Sequence, residues 1–466
     1  MDLSYKQYVI TSHELRIQGM EEVPVAGGYY IYVGKDLQAV TGKTAVGDYY
    51  CLLGDAFCSD THLRTPLEDL MSLKERDIYT VSRHWTGRWV LIIGNELITD
   101  ACGLMSAFYS DGEDNWLISS SIALLSSIIG INDIHKVYST GLTWHLLPGT
   151  IHNQIKLLFC TQKILLNTKL EFEFHNRFAE WQHMPYEGRV STITNCLVTG
   201  IKNIVKFSGR KPWVALTAGK DSRLTFAAAI RSGEEFETYT ARHKNMIDAD
   251  RKLPIIISQK YSIRHHLLNN GLYSKAKYDE YCAFCGYNSL GADAEFYATG
   301  QFEQIPSNAI NIKSGLFEAG QKYSRSITGG NDDSFEEGLK KYYKSSFEDS
   351  TQVDAFNEWM AYQKKNPMPG IDIRDRFYLE QRLNGWAAAL EQSLTINSFA
   401  TIQIANSAVV LGCLLYTTAD ERNDLKMSYD LIRALDSRLL DYPVNRQTIG
   451  DSVRIILNGI KRRLLV

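Results

Sequence analysis

The stretch WVALTAGKDSRLTFAAAI occupies residues 213–230 and decides the fold of the second half of the chain. Its apolar opening predicts a short buried strand over 213–216, and its Ala- and Leu-rich end predicts a helix over 224–230. Small and polar residues at 217–222 form a turn between them, where the backbone can come close to a ligand. A strand that passes through such a turn into a helix points unpaired amide groups outward, and this arrangement binds anions.

The side chains of this turn indicate which anion it takes. Thr217 and Ser222 add hydroxyl donors, and Lys220 adds a full positive charge. Asp221 would repel a phosphate unless a cation lay between them, so the turn indicates Mg²⁺ as well as phosphate. A Walker loop is excluded, because Val214 occupies the position of its first Gly. The alternative is a plain helix cap, with Asp221 or Ser222 capping the helix and doing nothing else.

Strand-like and helix-like segments alternate on either side of the turn. Residues 202–207 end a helix-like segment, 236–241 read as a strand and 253–261 as a helix. Strand, helix, strand and helix at this spacing predict a parallel sheet with covering helices. From Asp375 onward the apolar spacing is helical, and the tail at 452–466 predicts an amphipathic basic helix packed on the domain.

The first half, to residue 180, has a different character. Short β-rich runs bounded by Gly, Asp and Asn are GYYIYVG (28–34), DYYCLLGD (48–55), RWVLIIG (88–94) and WLISSSI (116–122). The third run continues into a predicted hairpin with Gly94 and Asn95 at its turn. The polar stretch Gln182–Arg189 marks a boundary, so we expect domains at 1–185 and 190–466.

Composition narrows the classes of function. The 466 residues allow two or three domains, and a net charge of -3 gives no global basic field for nucleic acid. No run of about 18 apolar residues predicts a membrane span, and the first twenty residues lack the pattern of a secretory signal. The eight scattered cysteines, with one CxxC at Cys282 and Cys285, favour free thiols, so we expect a cytoplasmic protein.

The turn TAGKDS at 217–222 resembles the pyrophosphate motif, SGGxDS, of the asparagine synthetase and β-lactam synthetase family. In that family a second strand and an Asp-led helix follow, and Asp250 falls at that Asp. The family's next signature, SGxGxDExxGGY, is two residues shorter here, as SGLFEAGQKY at 314–323. Phe317 stands where the family has a metal-binding Asp, and Glu318 matches the neighbouring Glu.

The first half is similar to the amidotransferase domain of the same family. Residues 87–125 follow that domain's order of a Gly-Arg strand, an Asp-x-x-Gly turn, an aromatic pair and a Ser-rich strand before a helix. LLPGTIHNQIKLLF at 146–159 is similar to the segment that closes the domain. Such amidotransferases use an N-terminal Cys, whereas residue 2 here is Asp and Cys51 lies far from the terminus. The resemblance implies a retained scaffold without glutaminase activity, as in β-lactam synthetases and lasso-peptide cyclases.

The resemblance also implies a fold and a site. The fold is α/β, with an N-terminal Ntn-hydrolase-like αββα sandwich, then a parallel-sheet ATP-pyrophosphatase domain (adenine nucleotide α-hydrolase-like) with a helical C-terminal region. Mg²⁺ would be held by Asp221 with Glu318 or Asp250. ATP would be held by Leu216, Thr217, Ala218, Gly219, Lys220, Asp221, Ser222, Thr240, Ala241, Ser314 and Gly315. The family also has a lysine late in the chain that steadies the second step, in which the amine attacks the adenylate. The candidates for this role here are Arg446 and Lys426, and the alternative for each is a surface cation.

Glu391 is a further candidate, as a partner of the attacking amine, and its alternative is a solvated Glu on an amphipathic helix. The expected activity is amide formation through an acyl-adenylate, with a peptide or small-molecule carboxylate and an amine from the substrate in place of ammonia. Two other interpretations stay open. One is a related chemistry such as thiolation, with Cys282 or Cys285 carrying sulfur, and the other is a non-catalytic scaffold that binds a partner. We expect no nucleic acid and no membrane as partners, and leave open a homodimer or a partner biosynthetic protein.

Overall fold

The computed structural model describes residues 2–74, 77–112, 115–135, 142, 144–243, 246–288, 291–321, 335–422 and 425–444. The strands of the first half are β1 (Tyr8–Thr11), β2 (Met20–Val23), β3 (Tyr30–Gly34), β4 (Ala39–Lys43), β5 (Tyr49–Cys58), β6 (Trp85–Ile93), β7 (Glu96–Thr99), β8 (Phe108–Asp111), β9 (Trp116–Ser119), β10 (Lys156–Leu157), β11 (Gln162–Leu166) and β12 (Leu170–Phe174). Its helices are α1 (Pro66–Met71), α2 (Ile78–Ser82) and α3 (Ile122–Ile129).

These strands form two antiparallel sheets of six, in the orders β10-β8-β9-β1-β3-β2 and β12-β11-β7-β6-β5-β4. The predicted hairpin is confirmed, because Ile93 pairs with Glu96 across a two-residue turn. Inward-facing side chains such as Ile10 and Ile92 form a core between the sheets. Because strand side chains alternate between faces, each sheet also presents an outer apolar face. Helix α3 packs against one outer face, and α1 and α2 against the other.

The second half begins with α4 (Tyr186–Ser208), whose N-cap is Pro185. Its strands are β13 (Lys211–Ala215), β14 (Glu237–Ala241), β15 (His265–Leu268), β16 (Ala309–Lys313) and β17 (Ala400–Gln403). Its further helices are α5 (Lys220–Ser232), α6 (Asp248–Lys260), α7 (Lys275–Phe284), α8 (Ala292–Ala298), α9 (Phe335–Tyr342), α10 (Ser350–Lys365), α11 (Ile373–Phe377), a π-helical stretch (Tyr378–Ala387), α12 (Ala388–Leu394), α13 (Ala408–Leu415) and α14 (Lys426–Asp436). Short 3₁₀ turns span Ala179–Trp181, Gln301–Gln304, Phe317–Gly320 and Ser437–Asp441.

The five later strands form a parallel sheet in the order β15-β14-β13-β16-β17. Strand β13 is central and pairs in parallel with β14 and β16. The predicted fold class is confirmed: a sandwich of two antiparallel sheets between helices, then a parallel sheet with a helical C-terminal region. Because all five strands run the same way, their carboxyl ends meet along one edge, where α/β proteins bind ligands.

One prediction about this half is wrong. The region after Asp375 is not purely helical, because β17 lies within it and pairs with β16 as the edge of the sheet. The run ATIQ is too short to show a strand by its own pattern, and the free edge of β16 decides its conformation. The predicted amphipathic tail at 452–466 lies outside the described residues.

The two halves contact each other through buried polar groups. The backbone N–H of Cys160 donates to Asn384 Oδ1 at 2.7 Å, and that of Cys102 donates to Asn406 Oδ1 at 3.0 Å. Thr86 Oγ1 donates to the carbonyl of Ile404 at 2.9 Å. Such bonds fix the relative position of the halves, since leaving one of these groups unpaired is costly. Among the helices of the described ranges, none is long and apolar enough to cross a membrane.

Candidate functional site

The site is built around the turn that joins β13 to α5. Helix α5 begins at Lys220, and its N-cap is Gly219, with φ −72° and ψ 157°. No side chain forms a capping hydrogen bond there. The alternative in which Asp221 or Ser222 only caps the helix is therefore wrong. The first turn of α5 keeps its amide groups directed outward without a side-chain cap, as an anion site requires.

The turn is held in shape by its own side chains. Thr217 N–H donates to Ser222 Oγ at 3.0 Å, and Gly219 N–H donates to Thr217 Oγ1 at 3.0 Å. Ala218 N–H donates to Asp250 Oδ1 at 2.7 Å. The two hydroxyls, which we predicted as direct anion donors, are instead 2.9 Å from each other. The groups left to face an anion are the ammonium of Lys220 and the amides that open α5.

Two carboxylates lie beside the turn. Asp221 is contacted by Lys220 Nζ at 3.5 Å and accepts from Gln321 Nε2 at 3.2 Å. Glu318 Oε2 accepts from the hydroxyl of Tyr378 at 2.8 Å. Burial raises the pKa of Asp221, and the negative charge of Glu318 raises it further against the opposing effect of Lys220. Two neighbouring acids that repel each other in this way favour a cation between them.

Of the two predicted partners of Asp221, Asp250 and Glu318, the structure leaves Glu318 as the candidate metal ligand. Within the described ranges, no three His, Cys, Asp or Glu side chains are grouped to hold a metal ion. Asp250 lies against the turn through the amide of Ala218. Phe317, at the position of the family's metal-binding Asp, is buried and supplies no ligand atom. Asp221 and Glu318 remain, and such a pair fits Mg²⁺, which takes its other ligands from phosphate oxygens and water.

Four of the residues predicted to hold ATP lie at or just beyond the carboxyl ends of β13, β14 and β16. Leu216 and Thr240 are buried and contact each other, since Thr240 Oγ1 donates to the carbonyl of Leu216 at 2.5 Å. Leu216 N–H donates to the carbonyl of Tyr239, so these two residues position the turn. Ala241 is partly exposed where β14 ends, and Gly315 is exposed just after β16. The structure therefore brings the predicted residues to one edge of the sheet.

A polar network closes the turn after β16. Gly315 N–H donates to Gln403 Oε1 at 2.8 Å, and Gln403 Nε2 donates to Glu391 Oε1 at 2.7 Å. The same oxygen accepts from Lys313 Nζ at 2.7 Å. Glu391 is only 2% exposed, so its alternative as a solvated surface residue is wrong. A side chain at Gly315 would displace the Gln403 amide, because a Cβ would lie 2.8 Å from Gln403 Oε1.

Lys313 carries the positive charge of this network. Burial opposes its charged form, but the neighbouring charges of Glu391 and Asp293 outweigh burial and raise its pKa. Lys313 was not predicted as a site residue. The signal was present in AINIK, an apolar strand that ends in a lysine directly before Ser314.

Arg223 was also missed, although it lies within the predicted turn. It is fully buried, and its guanidinium donates to the carbonyls of Ala218, Leu439, Tyr442 and Pro443. A buried arginine with four backbone acceptors ties the turn to the segment at 439–443. No periodicity of the sequence joins positions that are 216 residues apart.

Lys426 and Arg446 were the two candidates for the family's late lysine. Lys426 lies on the surface, pairs with Asp430 at 2.7 Å and covers the ring of Tyr186 at 3.7 Å from its centre. This placement matches the surface-cation alternative. Arg446 lies outside the described residues.

The first half shows no exposed thiol. Cys51 is buried in β5, and burial raises its pKa to about 12. Asp2 is exposed, and its carboxylate accepts from the amide of Ser4 at 2.9 Å. A neutral, buried thiol is a poor nucleophile, so Cys51 does not replace a catalytic cysteine.

The chain was compared with protein-family models, with curated proteins and with solved structures. No family model matches the chain, and no curated protein matches it. Among solved structures, glutamine phosphoribosylpyrophosphate amidotransferase from B. subtilis, complexed with ADP and GMP, is similar over 73% of this chain and 74% of its own, at 11% identity and a TM-score of 0.23. A structure described as the allosteric regulatory enzyme of purine biosynthesis is similar over 73% of both chains, with the same identity and TM-score. A likeness this weak supports no statement about function.

Proposed function

We propose that this chain is an ATP-dependent ligase that activates a carboxylate as an acyl-adenylate and joins it to an amine, releasing AMP and pyrophosphate. The observation that carries the proposal is the uncapped start of α5 at the carboxyl end of the central strand, beside the acidic pair of Asp221 and Glu318. A helix N-terminus next to a lysine attracts phosphate, and the acids attract the divalent cation that accompanies a nucleotide.

Different residues of the site have different roles in this proposal. Lys220 and the opening amides of α5 bind phosphate oxygens. Asp221 and Glu318 would hold Mg²⁺, which offsets the charge that develops on the departing pyrophosphate. Glu391 is held by Lys313 and Gln403 close to the turn at Gly315, where it faces the attacking amine. A buried carboxylate in that place orients an ammonium group and accepts its proton.

The amine comes from a substrate rather than from glutamine in this proposal. No exposed thiol is present among the described residues, because all eight cysteines are buried. Thiolation is disfavoured for the same reason. Burial raises the pKa of Cys282, and Cys285 donates its thiol to the carbonyl of Cys282. Both groups are therefore neutral thiols in a helix core, which do not carry sulfur readily.

A second candidate is a non-catalytic scaffold. Two features favour it: the amides of Thr217, Ala218 and Gly219 are already bonded within the protein, and the buried Phe317 stands where the sequence resemblance predicts a metal-binding Asp. In this case the chain would keep the fold and bind a partner without turning over ATP.

Nucleotide chemistry separates the two candidates. The protein is incubated with ATP, Mg²⁺ and a panel of small carboxylic acids and peptides, with and without added amines, and AMP, ADP and pyrophosphate are measured. AMP with pyrophosphate supports the ligase, and ADP contradicts the acyl-adenylate. Binding of MgATP is measured in parallel by calorimetry, because it needs no knowledge of the acid. No MgATP binding at all favours the scaffold.

A matched pair of variants tests the site itself. Asp221→Asn removes a carboxylate beside the turn, and Glu171→Gln removes an exposed one on β12. We expect Asp221→Asn to abolish turnover and to weaken MgATP binding at least tenfold, about 1.4 kcal/mol, while Glu171→Gln leaves both unchanged. Equal behaviour of the two variants would show that the turn is not the nucleotide site.

A further inference from the structure

A partly open cavity lies where the two halves meet, and the turn at 217–222 does not line it. Its walls come from the first half at Asp55 and Arg88, and from the second half at Glu391 and Phe399. It has a volume of about 50 Å³, whereas one water needs only about 10–15 Å³. The cavity therefore has room for several groups the size of a water molecule, its open side extends this space toward solvent, and charged side chains of both signs line it.

Asp55 and Arg88 are direct cross-strand partners on β5 and β6. Opposite charges in this register normally close on each other. Here no ion pair forms between them, and the carboxylate of Asp55 has no hydrogen-bond donor within the part of the chain that the structure describes. Arg88 Nε donates to the carbonyl of Leu104 at 3.0 Å, while its Nη2 is buried without an acceptor. Both charged groups therefore keep bonding capacity.

Two glycines shape the backbone at this pair. Gly54 has φ +88° and Gly87 has φ +126°, values that other residues rarely adopt. A Cβ at Gly54 would lie 2.4 Å from the carbonyl oxygen of Arg88, and one at Gly87 would lie 2.1 Å from that of Asp55. The two strands thus approach closely beside the charged residues, and no side chain can enter from either glycine.

The second half supplies another acidic group. Glu391 uses Oε1 for Lys313 and Gln403, while Oε2 has no donor among the described residues. Lys6 also lines the cavity, but its ammonium donates to the carbonyls of Asn397, Ser398 and Phe399. Its bonds are therefore used by the backbone. Arg210 also lines the cavity, but no cation of the described residues forms an ion pair with Asp55, and the bond from Lys313 leaves Glu391 Oε2 available.

We propose that this cavity binds a small zwitterion, with its carboxylate on Arg88 and its ammonium between Asp55 and Glu391. A lone cation would leave Arg88 Nη2 without an acceptor, and a lone anion would leave Asp55 and Glu391 Oε2 without a donor. A molecule with both groups satisfies them together through charge-assisted hydrogen bonds. Because Glu391 is linked through Gln403 to Gly315, this ligand is the amine acceptor, and that role rests on the proposed function.

Calorimetry on the full chain tests the site without ATP. The probes are L-alanine and β-alanine, compared with ethylamine and propionate, which carry only one of the two charges. We expect at least one zwitterion to bind, and each single-charge probe to bind at least tenfold more weakly. This comparison uses the unaltered protein, so it does not depend on how a variant folds. The probes are added at about 10 mM, which is high enough to detect a Kd of about 1 mM. No binding of either zwitterion would overturn the proposal. Equal binding of ethylamine or propionate would overturn it as well.

Variants then test which side chains bind the carboxylate and the ammonium of the zwitterion. Asp55→Asn and Arg88→Gln should each weaken zwitterion binding at least tenfold, and Glu22→Gln, at an exposed position of β2, should leave it unchanged. Unaltered binding in both cavity variants, with circular dichroism like that of the wild type, would place the ligand elsewhere and refute the site. MgATP binding without zwitterion binding removes only this inference. Zwitterion binding without MgATP binding keeps the site but removes the proposed function and the acceptor role.

Discussion

Replacement of Arg223 by Met tests how the turn is held. The guanidinium donates four hydrogen bonds, and two of its acceptors, the carbonyls of Ala218 and Leu439, are buried. The other two, on Tyr442 and Pro443, are only partly buried and can be hydrated after the change. An unsatisfied buried acceptor costs about 1–3 kcal/mol. Arg223→Met leaves two such acceptors unsatisfied, but it also removes the cost of burying a charged guanidinium. The net loss in the free energy of unfolding is therefore about 3 kcal/mol.

The assay is urea denaturation followed by circular dichroism, with limited proteolysis at residues 439–443. Arg223→Lys keeps the charge but makes fewer of the bonds, so we expect about half the loss. The matched control is Arg231→Met, at an exposed position of the same helix, which should change stability by less than about 0.5 kcal/mol. A loss under about 1 kcal/mol for Arg223→Met, or cleavage at 439–443 no faster than in the control, would refute the anchoring role.

Three further predictions concern buried charges and thiols. The raised pKa of Asp221 means that folding disfavours its charged form. Asp221→Asn should therefore raise the melting temperature of the ligand-free protein at pH 7. This gain should vanish once the pH falls below the pKa that Asp221 has in the unfolded chain, because the acid is then neutral in both states. A gain that persists at acidic pH would contradict this reasoning. Glu391→Gln removes the hydrogen-bonded counter-charge of Lys313 and leaves only Asp293 nearby, so it should cost about 1–3 kcal/mol in denaturation. Glu187→Gln, on the surface of α4, should cost almost nothing; equal effects would show that Glu391 does not stabilise Lys313. All eight cysteines are buried and none is in a disulfide. Iodoacetamide at pH 8 should therefore label none of them in the native protein and all of them in urea, and rapid labelling of the native protein would disprove their burial.

Local patterns determined the parts of the site that are continuous in sequence. The order of strand, turn and helix over 213–230 could be predicted, because an apolar run, small residues and an Ala-rich segment follow each other directly. The hairpin turn at Gly94 and Asn95 was predictable for the same reason. The parallel sheet followed from the alternation of such units, since a strand and its covering helix are coded by neighbouring residues.

The direction in which groups of the turn point was not predictable. The hydroxyls of Thr217 and Ser222 are typical anion donors in sequence, yet in the structure they bond within the turn. Their choice depends on the close geometry of a few atoms, which composition does not specify. Likewise, Asp250 opens a helix in the pattern, but only folding brings its carboxylate to the amide of Ala218.

The sequence by itself determined a turn of small and polar residues between a strand and a helix, and a strand-rich first half. Only the tertiary structure decided which charges are buried together. The pattern of WAAALEQ left Glu391 either as a partner of the attacking amine or as a solvated surface residue. Its burial depends on Lys313, which lies 78 residues away. The cavity at Asp55 and Arg88 is closed by the second half of the chain. Burial and ion pairing arise between distant segments, and periodicity encodes only the face that a residue presents, not the partner it meets.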